Sequence, residues 1–262
     1  MNNDRMIIVF WHLTSGLTPL KILYNLDCFL KRDGTRVGWK FFLRGMRKLA
    51  ENKYIKIISC EYASETYGRR AAILLPLGAN FLCAMGSNLD PADFRMTCPK
   101  PANVDHEIRL TEIVNVIKTG SRLKQYELVS LSDDTQIRLW HKNRGESLKN
   151  KYIADLMIAI RLKGRDNRVI ERGYHIEYEN GNKGRSYWEP KLRSWEMNII
   201  LIVRDAKRAA NLAKYIEGSL LGICIITHAD FKNNGLMSCV IAIQRFQKSI
   251  FDGEKGEWKK LG

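Results

Sequence analysis

Two unbroken apolar runs constrain this chain more than any other feature. Residues 198–203 read Asn-Ile-Ile-Leu-Ile-Val, and residues 220–226 read Leu-Leu-Gly-Ile-Cys-Ile-Ile. Neither alternates with polar residues, so each fits a strand covered on both faces. Between them, residues 206–217 bring Ala209, Leu212, Ala213 and Ile216 onto one helical face. A strand, a helix and another strand in that order make a parallel pair with a helical crossover. The C-terminal part is therefore α/β. Upstream, helical patterning covers 106–118 and 187–197. Strand patterning covers 126–131, 136–141, 153–162 and 169–179, and 238–244 reads as a last strand. Residues 251–262 are polar and read as a frayed tail.

The first 85 residues follow a different plan. Residues 6–13 begin a helix or an extended segment. Thr18-Pro19 looks like an N-cap and a first-turn proline opening a helix over 20–30. After the Asp33-Gly34 turn, Thr35 can cap a helix to about residue 52, with Phe42, Met46 and Leu49 inward. Strands at 54–59 and 71–75 flank a polar turn at 61–70. Helices followed by a two-stranded hairpin are the layout of a winged helix. Residues 86–105 hold Pro91, Pro99 and Pro101 and little periodicity, which is linker chemistry. The expected organisation is a winged-helix domain at 1–85, a linker at 86–105, an α/β domain at 106–250 and a tail at 251–262.

Charge narrows the partner. The chain has 43 Lys+Arg against 28 Asp+Glu, a net charge of +15. Such an excess favours a polyanion, nucleic acid before membrane. Residues 1–80 carry 13 basic against 6 acidic residues. Arg36, Lys40, Arg44 and Lys48 recur every fourth residue, Arg47 adds to them, and Arg69-Arg70 sits at the hairpin tip. A solvated helix face would look similar. The position of the stripe, on the last helix before the hairpin, is where a winged helix carries its recognition helix. Double-stranded DNA is the expected partner, with no membrane. No run of about 18 apolar residues suits a transmembrane helix, and the short apolar start lacks a cleavage site. The six cysteines form no C-x-x-C pair. Free thiols in a reducing, cytoplasmic setting follow. Phosphate-binding, dinucleotide, serine-hydrolase and zinc-protease motifs are absent from the sequence.

Acids cluster in the α/β part. Asp155 opens one strand, and Glu177 and Glu179 close the next, projecting to one face by the period of two. Two or three carboxylates there suit a hard cation such as Mg²⁺ or Mn²⁺, completed by water and phosphate, which would activate water against a phosphodiester. Lys183, Arg185 and Lys191 follow closely. The plain alternative is a solvated strand end.

Several segments resemble the replication-relaxation family of plasmid and mobile-element proteins. They are Ile153-Ala-Asp-Leu, then His175-Ile-Glu-Tyr-Glu-Asn-Gly-Asn, Lys191-Leu-Arg-Ser-Trp195, and Ile-Ile-Leu-Ile-Val-Arg followed by Lys207-Arg208. Val104-Asp-His-Glu-Ile-Arg-Leu-Thr and Leu74-Leu-Pro-Leu-Gly78 extend the likeness upstream. The resemblance implies a winged helix-turn-helix joined to a restriction-endonuclease-like, PD-(D/E)XK mixed-sheet domain, α/β in class and α+β overall. It implies DNA binding in plasmid replication, relaxation or transfer, beside other replication or transfer proteins, and leaves a homodimer open. By the nuclease motif Asp155 and Glu177 match the two acids and metal ligands. Glu107 or Glu112 could match a further acid on the first helix. Glu179 stands where the motif has lysine, and Lys191 could substitute from the next helix. The domain then either keeps only the fold for binding or is an active Mg²⁺/Mn²⁺-dependent nickase. A third chemistry, a tyrosine nucleophile, would use Tyr174, Tyr178 or Tyr187.

Overall fold

The computed structural model describes residues 1–59, 70–86, 103–148, 152–163, 168–181, 183–216 and 220–261. Arg69, most of the hairpin turn, residues 87–102 of the proline-rich segment, Cys60 and Cys98 lie outside them. The chain forms two compact units, Met1–Thr111 and Glu112–Gly262.

In the first unit, α1 (Asn3–Leu13) buries Met6, Val9, Phe10 and Leu13, an i, i+3, i+4, i+7 face. Strand β1 (Thr18–Pro19) and the short helix α2 (Leu20–Tyr24) follow. Thr18 does not cap a helix over 20–30: its hydroxyl donates to the Gly16 carbonyl at 3.2 Å, and Pro19 pairs in the sheet. Helix α3 (Trp39–Glu51) starts later than expected, from Gly38. Thr35 is held away from a capping role because its N–H and hydroxyl both donate to Asp33 Oδ1, at 2.8 and 2.6 Å. Strands β2 (Ile55–Ser59) and β3 (Arg70–Leu74) pair antiparallel, and β1 adds to β3, giving the order β1-β3-β2. Helix, strand, two helices and two strands is the sequence of elements in a winged helix. Phe29, Phe42 and Met46 fill its core, the Phe29 and Phe42 rings meeting edge-on at 4.9 Å. Helix α4 (Pro76–Ala84) was not expected. Pro76 occupies its first turn, and Gly78 lets it approach the Tyr54 carbonyl, which an added Cβ would meet at 2.4 Å. Helix α5 (Val104–Arg122) follows.

The second unit is mixed α/β around a seven-stranded sheet of order β10-β9-β8-β7-β6-β5-β4. Strands β4 (Glu127–Asp133), β5 (Leu156–Lys163) and β6 (Val169–Glu179) form an antiparallel meander. Strands β7 (Asn198–Val203) and β8 (Ile223–Thr227), the two apolar runs, continue parallel to β6, and β9 (Lys248–Asp252) continues parallel to β8. The parallel crossover expected from the sequence is thus present. Helices α7 (Arg185–Ser194) and α8 (Ala206–Ala213) cover one face through Trp188, Leu192, Ala209 and Leu212. A meander followed by a helix and a parallel strand makes the sheet mixed, α/β in class and α+β overall.

Three expectations in this unit are corrected. Residues 136–141 are not a strand but part of α6 (Asp134–Asn143), because Asp133 and Gln136 close a reciprocal capping box. Residues 238–244 belong to α9 (His228–Phe246), whose β-branched residues are helical because Cys239, Val240 and Ile243 pack inward. Gly235, at φ 70°, breaks its backbone. Residues 251–262 are no frayed tail: β9 and β10 (Glu257–Lys260) form a hairpin, with Phe251 and Trp258 rings 5.2 Å apart.

Candidate active site and nucleic-acid interface

The parallel register of β6 and β7 pairs Glu177 with Leu201 and Glu179 with Val203. Both glutamates therefore face α7 and α8, and Tyr178 faces the other way. Asp155 precedes β5, which runs antiparallel to β6, so it arrives beside the end of β6. Backbone hydrogen bonds lock the two acids together. The Tyr178 N–H donates to Asp155 Oδ2 at 2.8 Å, and the Asp155 N–H donates to Glu177 Oε2 at 3.3 Å. The segment leading into Asp155 is fastened by Trp195, whose indole N–H donates to the Tyr152 carbonyl at 2.7 Å.

Lys191 completes the cluster. From α7 its ammonium donates to Glu177 Oε1 and to the Tyr187 hydroxyl, the latter at 3.2 Å. The rings of Tyr187, Trp188 and Trp195 stand 5.1 to 5.3 Å from Nζ. Those π faces favour a cation withdrawn from water. Lys191 and Glu177 are 2% and 5% exposed, while Asp155 is half-buried and meets solvent. Burial, then the Asp155 carboxylate, pushes Glu177 above the usual carboxylate range, and Lys191 opposes this. Burial alone would lower Lys191, but Glu177 and Tyr187 outweigh it and hold the amine above its usual value.

Glu179 takes no part in that cluster. Its Oε1 accepts the Gly181 N–H at 2.8 Å and lies 3.5 Å from Arg208 Nη2. It braces the turn after β6. Lys183 Nζ bonds the Tyr187 hydroxyl at 3.1 Å, and Arg185 pairs with Glu189. Glu112 is on α5, where its carboxylate meets Lys232 at 2.9 Å and His228 at 3.3 Å, and Glu107 lies 4.0 Å from His106. Among the described residues no three His, Cys, Asp or Glu side chains gather as a metal site. What the cluster offers is two adjacent carboxylates, one reaching solvent. That donor set suits Mg²⁺, which takes one or two carboxylates and keeps water and phosphate in the rest of its shell. Of the candidate tyrosines, Tyr174 and Tyr178 are buried, and burial pushes Tyr174 up to about 12. Neither is placed as a nucleophile. The aromatic lining of Lys191 went unread in the sequence, although Tyr187, Lys191 and Trp195 recur at i, i+4 and i+8.

On α3, Lys40, Arg44, Arg47 and Lys48 are all exposed, opposite buried Phe42, Met46 and Leu49. Phe41, 57% exposed, lies among them. Arg36 does not belong to this helix. It precedes α3, donates to the Tyr24 and Leu26 carbonyls at 2.8 and 2.9 Å, and stacks on Tyr24, so it is a structural clamp. Arg70 is the exposed first residue of β3.

No protein-family model matches the chain, and no curated protein matches it. Among solved structures, restriction endonuclease FokI shares 9% identity over 87% of this chain and 42% of its own, with a TM-score of 0.30. The chain thus spans about two-fifths of FokI's length. No helix among the described residues is long and apolar enough to cross a membrane.

Proposed function

We propose that this protein binds duplex DNA through α3 and β3 of its first unit. The observation that carries the reading is the row Lys40, Arg44, Arg47 and Lys48. All four point to solvent from one helix of a winged-helix arrangement, with Glu51 as the helix's single carboxylate. Basic side chains so placed neutralise phosphates and set the helix in a groove. The test is fluorescence anisotropy on labelled duplexes: Arg44→Glu/Lys48→Glu should abolish binding measurable in the wild type. Unchanged affinity would overturn the reading. The resemblance to replication-relaxation proteins supports a role in replication, relaxation or transfer of a plasmid or other mobile element.

One observation favours a second activity, metal-dependent cleavage of the bound DNA. Lys191 brings an ammonium to Glu177 beside Asp155, supplying from α7 the cation missing at Glu179. Asp155 and Glu177 would hold Mg²⁺ or Mn²⁺, which when bound lowers the pKa of its water and neutralises phosphate charge. The chain's own part is to lock the two carboxylates at fixed separation and to present an ammonium from a buried aromatic pocket. Supercoiled plasmid incubated with Mn²⁺ should be nicked, and Asp155→Asn should remain folded and inactive. Intact supercoils with the wild type across varied DNA sequences would refute the activity.

A further inference from the structure

Beyond the Asp155–Glu177–Lys191 cluster, the carboxyl ends of β6 and β7 enclose a second cavity, of about 160 Å³. That is room for about five waters at roughly 30 Å³ each, more than one phosphate group fills. Glu179, the last residue of β6, forms one wall with Asn180 and Gly181. Arg204 and Asp205, after β7, and Lys207, Arg208 and Asn211, on α8, form the other. In open α/β sheets, ligands settle outside the carboxyl ends of the strands.

The charges here are not all satisfied by one another. Asp205 caps α8 by accepting the Arg208 N–H at 2.9 Å and pairs with Arg204 at 3.0 Å. Glu179 is taken up by Gly181 and by one Arg208 nitrogen, and Arg208 Nη2 also donates to the Lys183 carbonyl at 2.7 Å. One cation, Lys207, remains over, together with one unpartnered nitrogen of Arg208. Lys207 is exposed at the rim. Arg208 is 9% exposed, and its buried Nε has no hydrogen-bond partner. A buried donor left unpaired costs free energy, and an arginine fork is shaped for oxyanions. The first turn of the eight-residue α8 adds outward-facing N–H groups and the positive end of its dipole.

We propose that this cavity is a phosphate-binding subsite, with Arg208, Lys207 and the first turn of α8 holding the oxyanion. Glu177 and Glu179 are two residues apart on one face of β6, roughly 7 Å. A backbone phosphate in the cavity would therefore flank one placed at Asp155, Glu177 and Lys191. The subsite rests on the DNA reading only for the source of that phosphate.

The test uses the full chain without metal or DNA, titrated at low salt and followed by amide ¹H–¹⁵N shifts. Inorganic phosphate should move the amides of Gly181, Asp205, Ala206, Lys207 and Arg208 saturably. Lys207→Ala should weaken the response about tenfold, the loss of one charge-assisted contact. Arg208→Lys, which keeps a cation against Glu179 but removes Nε, should weaken it at least as much. Lys255→Ala, in the β9–β10 turn, should change nothing. Dimethyl phosphate separates the sources: its binding marks a backbone diester, and binding of inorganic phosphate alone marks a terminal phosphate. Both outcomes support the subsite. Absence of saturable shifts with either anion, or an unaltered titration in Lys207→Ala, overturns it. Because neither arm involves DNA, such a failure leaves the duplex affinity of the α3 face to be judged separately.

Discussion

If the exposed cations of α3 contact phosphates, their number sets the salt dependence of DNA binding. Each neutralised phosphate releases condensed counterion, so the slope of log K against log salt changes by about 0.9 per contact on duplex DNA. Arg44 and Lys48 are four residues apart, one turn of α3, and both are exposed. Converting both to alanine should make the slope shallower by about 1.8. From 50 to 200 mM salt, the wild type should therefore lose roughly twelvefold more affinity than the double variant. The assay is anisotropy of a labelled duplex at five or six salt concentrations. Two controls give the result its meaning. Lys255→Ala/Lys260→Ala removes the same net charge from exposed positions of the β9–β10 hairpin and should leave the slope unchanged. Arg36→Ala should also keep the slope but lower the melting temperature, since Arg36 braces two backbone carbonyls. Parallel salt lines for the wild type and the Arg44→Ala/Lys48→Ala variant would refute the placement of phosphates along α3.

Three further outcomes test the fold and the cluster. Lys191→Met strands a buried carboxyl next to Asp155. Breaking such a pair costs about 3–5 kcal/mol when the charge must stay, less when the group can take a proton. Glu177 is held above its ordinary value of 4.5, chiefly by burial. The folded state therefore binds that proton more tightly than the unfolded state, and the resulting stability is complete below about pH 4.5 and lost as pH rises through the folded value. Without the opposing ammonium the loss is larger. In EDTA, urea unfolding should show the deficit of Lys191→Met widening from pH 5 to pH 8, and Glu177→Gln in the same chain should remove most of it. A deficit independent of pH would speak against the pairing. Phe42→Ala, which empties the centre of the first core, should cost about 3–5 kcal/mol in the same assay. Asp133→Ala, which opens the capping box of α6, should cost about 1 kcal/mol.

Periodicity made the parallel strands legible because β7 and β8 are covered on both faces, leaving their sequences no other pattern to follow. The inward face of α3 was equally plain, since Phe42, Met46 and Leu49 fit one period. Short segments fared worse. Ile137, Leu139 and His141 alternate like a strand, yet the residues that decide are Asp133 and Gln136, outside the alternation and paired only by the geometry of a helix start. The segment 238–244 is rich in β-branched residues, but it continues a helix capped by Thr227. Packing against the sheet overrides its local preference. Arg36 shows the limit of a spacing argument. It keeps the four-residue interval of the stripe, but α3 begins only at Trp39, and nothing in the interval reveals that its guanidinium is engaged by the Tyr24 and Leu26 carbonyls.

The acids were legible from the period of β6, and their division of labour was not. Glu177 and Glu179 project to one face and look equivalent, but each meets a different helix. Glu177 lies under α7, where Lys191 is walled in by three aromatic rings. Glu179 lies under α8, where it meets Arg208. Placing a second ammonium at position 179 would set it against the Arg208 guanidinium in a buried space, and like charges there repel strongly. Arginine on α8 and lysine two residues beyond Glu177 thus exclude each other. With Arg208 present, an ammonium for the Asp155–Glu177 pair has to come from another element, and α7 is the one that covers the same face. The linkage is testable as a coupled exchange. Glu179→Lys should be strongly destabilising alone and less so with Arg208→Met, whereas equal destabilisation in both backgrounds would show that the charge on α8 does not decide which residue occupies position 179.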